Sequence, residues 1–268
     1  MAVLNVTPDS FSDGGVALGV DGSPLRAVER GLALAAAGAD CVDVGGESTR
    51  PGAAPVPVAT EFERVVPVVT GLAAEGVLVS VDTRHAAVAR AALAAGAVIV
   101  NAVGALTPDD GMLETVAEAG AGYVVMHLRG KPRTMQDAPR FSDVVGDVER
   151  ELIGARDAAV AAGIAHDAVA LDPGIGFGKT LVHNLALLAA VPRLAGLGHP
   201  LLVGTSRKAF IGHLTGVDVP AQRVAGSLAS AVLAARDGAR ILRVHDVAAT
   251  VEALAVQAAI DAAPREGA

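Results

Sequence analysis

The stretch Leu171-Asp172-Pro173-Gly174-Ile175-Gly176-Phe177-Gly178-Lys179-Thr180 sets a carboxylate, three alternating glycines and a lysine between the apolar run Ala168 to Leu171 and a helical pattern that starts at Leu181. Two glycine motifs fail on it. A nucleotide P-loop requires a glycine five residues before Gly178-Lys179-Thr180, where Pro173 stands. A dinucleotide fingerprint counted from Gly174 requires a third glycine at Lys179. What remains is a carboxylate fixed at a strand end, with glycines that let a flat ligand approach the backbone. A plain strand-to-helix connection is the alternative.

Further polar residues stand at the ends of apolar runs: Asn5, Asp43, Asp82, Asn101, His127, Ser206 and Arg243, the last followed by His245. The runs themselves read as short buried strands, at Ala2 to Leu4, Cys41 to Val44, Val77 to Val81, Val98 to Val100, Tyr123 to Met126, Val169 to Leu171, Leu201 to Val203 and Ile241 to Val244. Ala-rich helical segments precede all but the first, and each stops at a glycine: Gly38, Gly76, Gly96, Gly120, Gly163, Gly198 and Gly238. Eight apolar strands alternating with helices predict an α/β fold, a single (β/α)8 TIM barrel over residues 1–263, with a frayed tail at 264–268. An open doubly wound sheet is the rival. Turns into strands are short, whereas the loops leaving them, 6–22, 45–58, 128–142 and 173–180, are long. In a barrel those loops share one rim, where the strand-end residues converge on a mouth.

The totals narrow the class. The chain has 268 residues, a net charge of -8 and no basic run, which argues against nucleic-acid and anionic-membrane binding. It has no Trp, one Tyr and five Phe, so its core is Ala, Val and Leu. Cys41 is the single cysteine and cannot form an intrachain disulfide, which is compatible with a reducing cytoplasm. No cleavable leader precedes Asn5 and no apolar run nears the ~20 residues of a membrane span, so a soluble cytoplasmic protein is expected. Lysines occur only at 131, 179 and 208.

Taken together the loops resemble dihydropteroate synthase, of the pterin-binding TIM-barrel superfamily. The resemblance runs in order through Leu4 to Gly15, Asp43 to Gly52, Ser80 to Thr83, Met126-His127, Gly130 to Gln136, Asp172 to Lys179, Thr205 to Lys208 and Arg243 to Val247. It implies condensation of 6-hydroxymethyl-7,8-dihydropterin diphosphate with p-aminobenzoate, giving 7,8-dihydropteroate and pyrophosphate, with Mg2+ assisting. Asp172 suits the adjacent N–H donors of a pterin edge, Asn101 the neighbouring ring nitrogens, Lys208 the ring carbonyl side, and Asp82 a further ring contact. Met126 and Phe177 are expected on the pterin faces. Arg243 and His245 suit the diphosphate, and the neutral oxygen of Asn5 suits both that leaving group and Mg2+. By similarity Phe11, Thr49, Arg50, Pro51 and Ser206 form the p-aminobenzoate site, where sulfonamides also bind. Asp13 is the candidate to stabilise a pterin-methyl cation, and Asp13, Lys208, Arg243 and His245 are the candidate catalytic residues. A homodimer through helices near the last strands is implied as well.

Two features depart from the resemblance. Ala102 stands where the family usually has Asp, and Met1 falls inside the first strand. If alternate residues face alternate sides, the missing carboxylate points away from Asn101. A non-catalytic or weakly active pterin-binding paralogue and a pterin-dependent methyltransferase are the alternative readings. The absence of a diphosphate in a methyl-folate donor weighs against the second.

Overall fold

The structure, a computed structural model, describes residues 1–7, 24–48, 56–130, 134–137 and 139–264. Its strands are β1 (Ala2–Asn5), β2 (Val42–Gly45), β3 (Val79–Asp82), β4 (Ile99–Val103), β5 (Gly122–Met126), β6 (Val169–Asp172), β7 (Leu202–Val203) and β8 (Ile241–Leu242). Helices α1 (Pro24–Ala36), α2 (Val58–Ala74), α3 (Ala86–Ala94), α4 (Met112–Ala119) and α5 (Val144–Ala161) separate the first six strands. Helices α6 (Leu181–Ala189) and α7 (Val191–Ala195) lie between β6 and β7, α8 (Ala209–Thr215) and α9 (Val224–Arg236) between β7 and β8, and α10 (Val247–Asp261) follows.

Strands β1 to β6 pair in sequence order, all parallel, and β7 pairs with β8. Single bridges close the ring: Leu171 to Leu201 joins β6 to β7, and Ala2 to Val244 joins the end of β8 to β1. Backbone bonds from Val3 N to Val244 O (2.9 Å) and from Leu171 N to Pro200 O (2.9 Å) fasten these two seams. The sheet is therefore a closed (β/α)8 TIM barrel and not an open doubly wound sheet. The seven glycines read as helix stops all take positive φ, from +61° at Gly120 to +110° at Gly96, the left-handed turn that stops each helix ahead of the next strand.

Strand parity sorts the side chains. Val42, Val44, Val79, Val81, Val100, Ala102, Val125, Val169, Leu171 and Leu201 pack in the large core between sheet and helices. The alternate positions Val124, Ala170 and Leu202, with Met1, Ile99 and Ile241, fill the barrel interior. One or two residues further along the strands, the inward positions become Asp43, Asp82, Asn101 and Asp172, all buried. Ala102 lies in the outer core, so the substitution there subtracts no group from the interior.

The outer layer carries most of the apolar burial. Leu72 of α2 is fully buried within it. We predict that Leu72→Ala lowers the unfolding free energy by ~2–5 kcal/mol in urea titrations, with the lost methyl groups leaving a cavity the close helix packing cannot fill.

Candidate active site

Three groups of residues form the mouth. The first is a buried charge cluster. Arg243, just after β8, donates from Nε to Asp43 Oδ2 at 2.6 Å and from Nη2 to Asp82 Oδ2 at 2.7 Å. Asn101 Nδ2 donates to the same Asp43 oxygen at 3.0 Å. Sheet register explains this convergence, since Asn5, Gly45, Asp82 and Asn101 are successive partners across β1 to β4 and form one level. Burial pushes the Asp82 carboxyl up to about 7 against the pull of Arg243, while the two carboxylates hold the guanidinium above its usual range despite its burial. Asp43 Oδ1 and Asp82 Oδ1 are buried with no hydrogen bond, so each presents an acceptor.

The glycine turn after β6 is the second. Asp172 Oδ1 accepts from its own turn, from Gly174 N at 2.7 Å. Gly176 N donates to Asn184 Oδ1 of α6 at 2.7 Å, and Gln136 Nε2 donates to Gly176 O at 2.9 Å. Thr180 and His183 form a reciprocal cap that starts α6 directly behind the turn. Lys208 donates to Ile175 O, and its ammonium stands 4.8 Å from the centre of the Phe177 ring. Phe177 in turn packs against Val103, Met126, Leu128 and Met135, which form an apolar wall at the barrel top. Burial pushes the Lys208 ammonium down to about 8 against the attraction of Asp172, and burial raises the Asp172 carboxyl against the pull of Lys208.

The third group links the last two strands. Ser206 Oγ accepts from His245 N at 3.1 Å and lies 3.0 Å from His245 Nδ1. Arg207, at φ +60°, bends this loop and forks onto Asp246 at 3.0 and 2.6 Å. Asn5 Oδ1 faces the mouth over Gly45, where a Cβ would approach it to 3.6 Å.

The mouth thus brings together Asn5, Asp82, Asn101, Met126, Asp172, Phe177, Ser206, Lys208, Arg243 and His245. Phe11, Asp13, Thr49, Arg50 and Pro51 lie outside the described residues. One strand-end expectation is corrected: His127 does not converge on the mouth. It follows the inward Met126, so parity turns its ring outward, where Nε2 meets Glu151 Oε2 of α5 at 3.1 Å. Sequence reasoning gave no role to Asp43, whose signal was its place at a strand end, nor to Glu61 of α2, which is fully buried. Glu61 Oε2 lies 2.7 Å from His85 Nδ1. Glu47, Glu61 and His85 are close enough to be considered as cation ligands, but Arg84 takes both Glu47 oxygens at 3.2 and 2.9 Å, so the trio is not open.

A buried barrel mouth with paired amide and carboxylate acceptors, an apolar wall and clustered cations is suited to a flat heterocycle carrying an anionic tail. Comparison with known proteins agrees: the chain belongs to the family described as pterin binding enzymes, whose sequence model matches residues 1–245. Its similarity within that family is to dihydropteroate synthases. It is 49% identical over 257 residues to the Escherichia coli K12 dihydropteroate synthase, covering 96% of this chain and 89% of that one. The Yersinia pestis dihydropteroate synthase structure with a sulfonamide drug superposes with a TM-score of 0.92 at 47% identity, covering 98% and 94% of the two chains. The Xanthomonas albilineans enzyme in complex with 7,8-dihydropteroate superposes with a TM-score of 0.87 at 48% identity, again covering 98% and 94%.

Two outcomes follow from this geometry. At Gly174, φ is +66° and a Cβ would run into the His127 carbonyl oxygen. Gly174→Ala is expected to lower the unfolding free energy by more than ~2 kcal/mol, measured in urea. His127 is lowered from 6.5 to about 3 by burial and by the Lys179 charge. Between those values the unfolded chain binds more protons at this ring than the folded chain, so its contribution to stability is complete above pH 6.5 and falls as pH drops toward 3. Unfolding free energies measured across this range are expected to show a shallower acid slope in His127→Asn.

Proposed function

We propose that the chain is a dihydropteroate synthase, a transferase that condenses 6-hydroxymethyl-7,8-dihydropterin diphosphate with p-aminobenzoate. The observation that carries this reading is Asp172, whose Oδ1 is pinned by Gly174 N while the carboxylate faces a mouth shared with Asn101, Asp82 and Lys208. A pterin edge offers adjacent N–H donors to Asp172, and Asn101 donates and accepts at the neighbouring ring nitrogens. Lys208 donates on the carbonyl side and Asp82 supplies a further acceptor. Met126 and Phe177 hold the ring faces.

Arg243 has five N–H donors, of which Asp43 and Asp82 use two. The remainder, with His245, bind the diphosphate. In the reaction the C–O bond between the pterin methylene and the diphosphate breaks, and pyrophosphate leaves with the electron pair. The amine nitrogen of p-aminobenzoate then forms the C–N bond and loses a proton to water. The protein's part is to stabilise the leaving anion and orient the two reactants. Ser206, with Phe11, Thr49, Arg50 and Pro51, binds p-aminobenzoate, and sulfonamides compete there. Asp13 stabilises the cation on the pterin methylene.

Asn5 suits a Mg2+ site, because it offers one neutral oxygen at the mouth and no hydrogen bond engages its side chain among the described residues. Asn5 would hold the ion, which would supply charge neutralisation for the leaving diphosphate. A homodimer in the cytoplasm belongs to the same reading. Its support is the exposed apolar set Leu233, Val251, Val256 and Ile260 on α9 and α10. No helix among the described residues is long and apolar enough to cross a membrane. Against the non-catalytic or weakly active alternative stands the position of Ala102 in the outer core, away from Asn101.

The test is pyrophosphate release from the dihydropterin diphosphate, with and without p-aminobenzoate. Release that depends on p-aminobenzoate and yields dihydropteroate is expected, and its absence in folded protein sinks the reading. Asp172→Asn is expected to reduce kcat/KM for the pterin substrate about 10- to 200-fold, as loss of charge-assisted bonds worth ~1.5–3 kcal/mol requires.

A further inference from the structure

Directly behind the glycine turn stands a lysine to which the reaction assigns no task. We propose that Lys179 is a positioning residue for pterin recognition: its ammonium ties the Phe177 carbonyl to His127 at the end of β5, fixing the Phe177 ring and the Asp172 carboxylate. This rests on the synthase reading.

Lys179 is only 3% exposed. Its Nζ lies 3.0 Å from Phe177 O, 3.1 Å from His127 Nδ1 and 3.5 Å from His127 O. An ammonium has three donors and no acceptor, so these contacts engage all three, while burial pushes the group down to about 7 against the attraction of Asp172. The same logic assigns the imidazole tautomer. Nδ1 must accept from Lys179, so Nε2 carries the hydrogen and donates to Glu151 Oε2 at 3.1 Å. Arg129 Nε completes the chain on Glu151 Oε1 at 3.0 Å.

The turn rests on this chain. A Cβ at Gly174 would come within 3.3 Å of Lys179 Nζ as well as striking the His127 carbonyl. Two lysines therefore grip the turn from opposite sides, Lys208 at Ile175 O and Lys179 at Phe177 O. Only Lys208 also stands over the Phe177 ring. Burial raises the Asp172 carboxyl, and the Lys208 charge, the hydrogen bond from Gly174 N and the Lys179 charge each offset part of that rise. Without Lys179, the Phe177 carbonyl loses its tie to His127 and the Asp172 carboxylate loses a nearby positive charge.

The test is Lys179→Met, close in length and uncharged, in the full chain, with KM for each substrate taken from pyrophosphate release. The expected result is a rise of ~10- to 100-fold in KM for the dihydropterin diphosphate, the range seen when supporting groups are removed from other sites, with KM for p-aminobenzoate within about twofold of the parent. A pterin KM within about twofold of the parent, or equal rises for both substrates, overturns the proposal. Should Lys179→Met fail to fold, Lys179→Gln, likewise uncharged, gives the same readout. If neither folds, Lys179 is structural and the proposal falls. A parent chain without turnover counts against the synthase reading alone, because calorimetric titration with 6-hydroxymethylpterin still compares parent and variant: a weaker variant supports the positioning role, and equal affinity overturns it.

Discussion

Arg243 bridging Asp43 and Asp82 is the interaction on which the mouth depends. Two buried carboxylates from β2 and β3 have no other cation in hydrogen-bonding contact among the described residues. A buried charge without a partner costs several kcal/mol, so the guanidinium is what permits both acids to stand at the inward positions of the strands. Because Arg243 follows β8, these bonds also cross the seam between β8 and β1, which the backbone closes with one bridge. Asn101 extends the tie to β4. Four strands are thus joined at the level where a ligand's polar edge is read.

The opposite wall is built differently. There the glycine turn brings backbone carbonyls and the Phe177 ring toward the mouth, and cations hold it in place. Lys208 serves both the turn and the mouth, whereas Lys179 works from behind. The result is a slot with an acidic, amide-lined edge, one apolar wall and an arginine–histidine end. Such a slot separates recognition of a heterocycle from stabilisation of an anion that departs, which is what a diphosphate displacement needs.

The sequence pattern alone made much of this legible. Eight apolar runs with glycine stops gave a strand order that closes, and polar strand ends marked the rim. Parity explains the exceptions. His127 shares the strand-end signature of Asp172 but lies one residue beyond the inward Met126, so it serves the outer layer. Asp43 sits two residues below the end of β2, and only the register shows that Arg243 and Asn101 reach it. The burial of Glu61 depends on how α2 meets His85, a long-range contact that local periodicity does not encode. Ala102 lies in the outer core, the side that alternation along β4 assigns it from the inward Asn101.

The most direct measurement of the account is a double-mutant cycle between Asp43→Asn and Arg243→Lys, read as kcat/KM for the dihydropterin diphosphate in folded protein. Neither change adds bulk, and Asp43 has no assigned ligand contact, so any coupling reports the buried bridge. If the bridge sets the mouth, the two effects are non-additive by more than ~1 kcal/mol. Additive effects, or an Asp43→Asn enzyme indistinguishable from the parent, would contradict it.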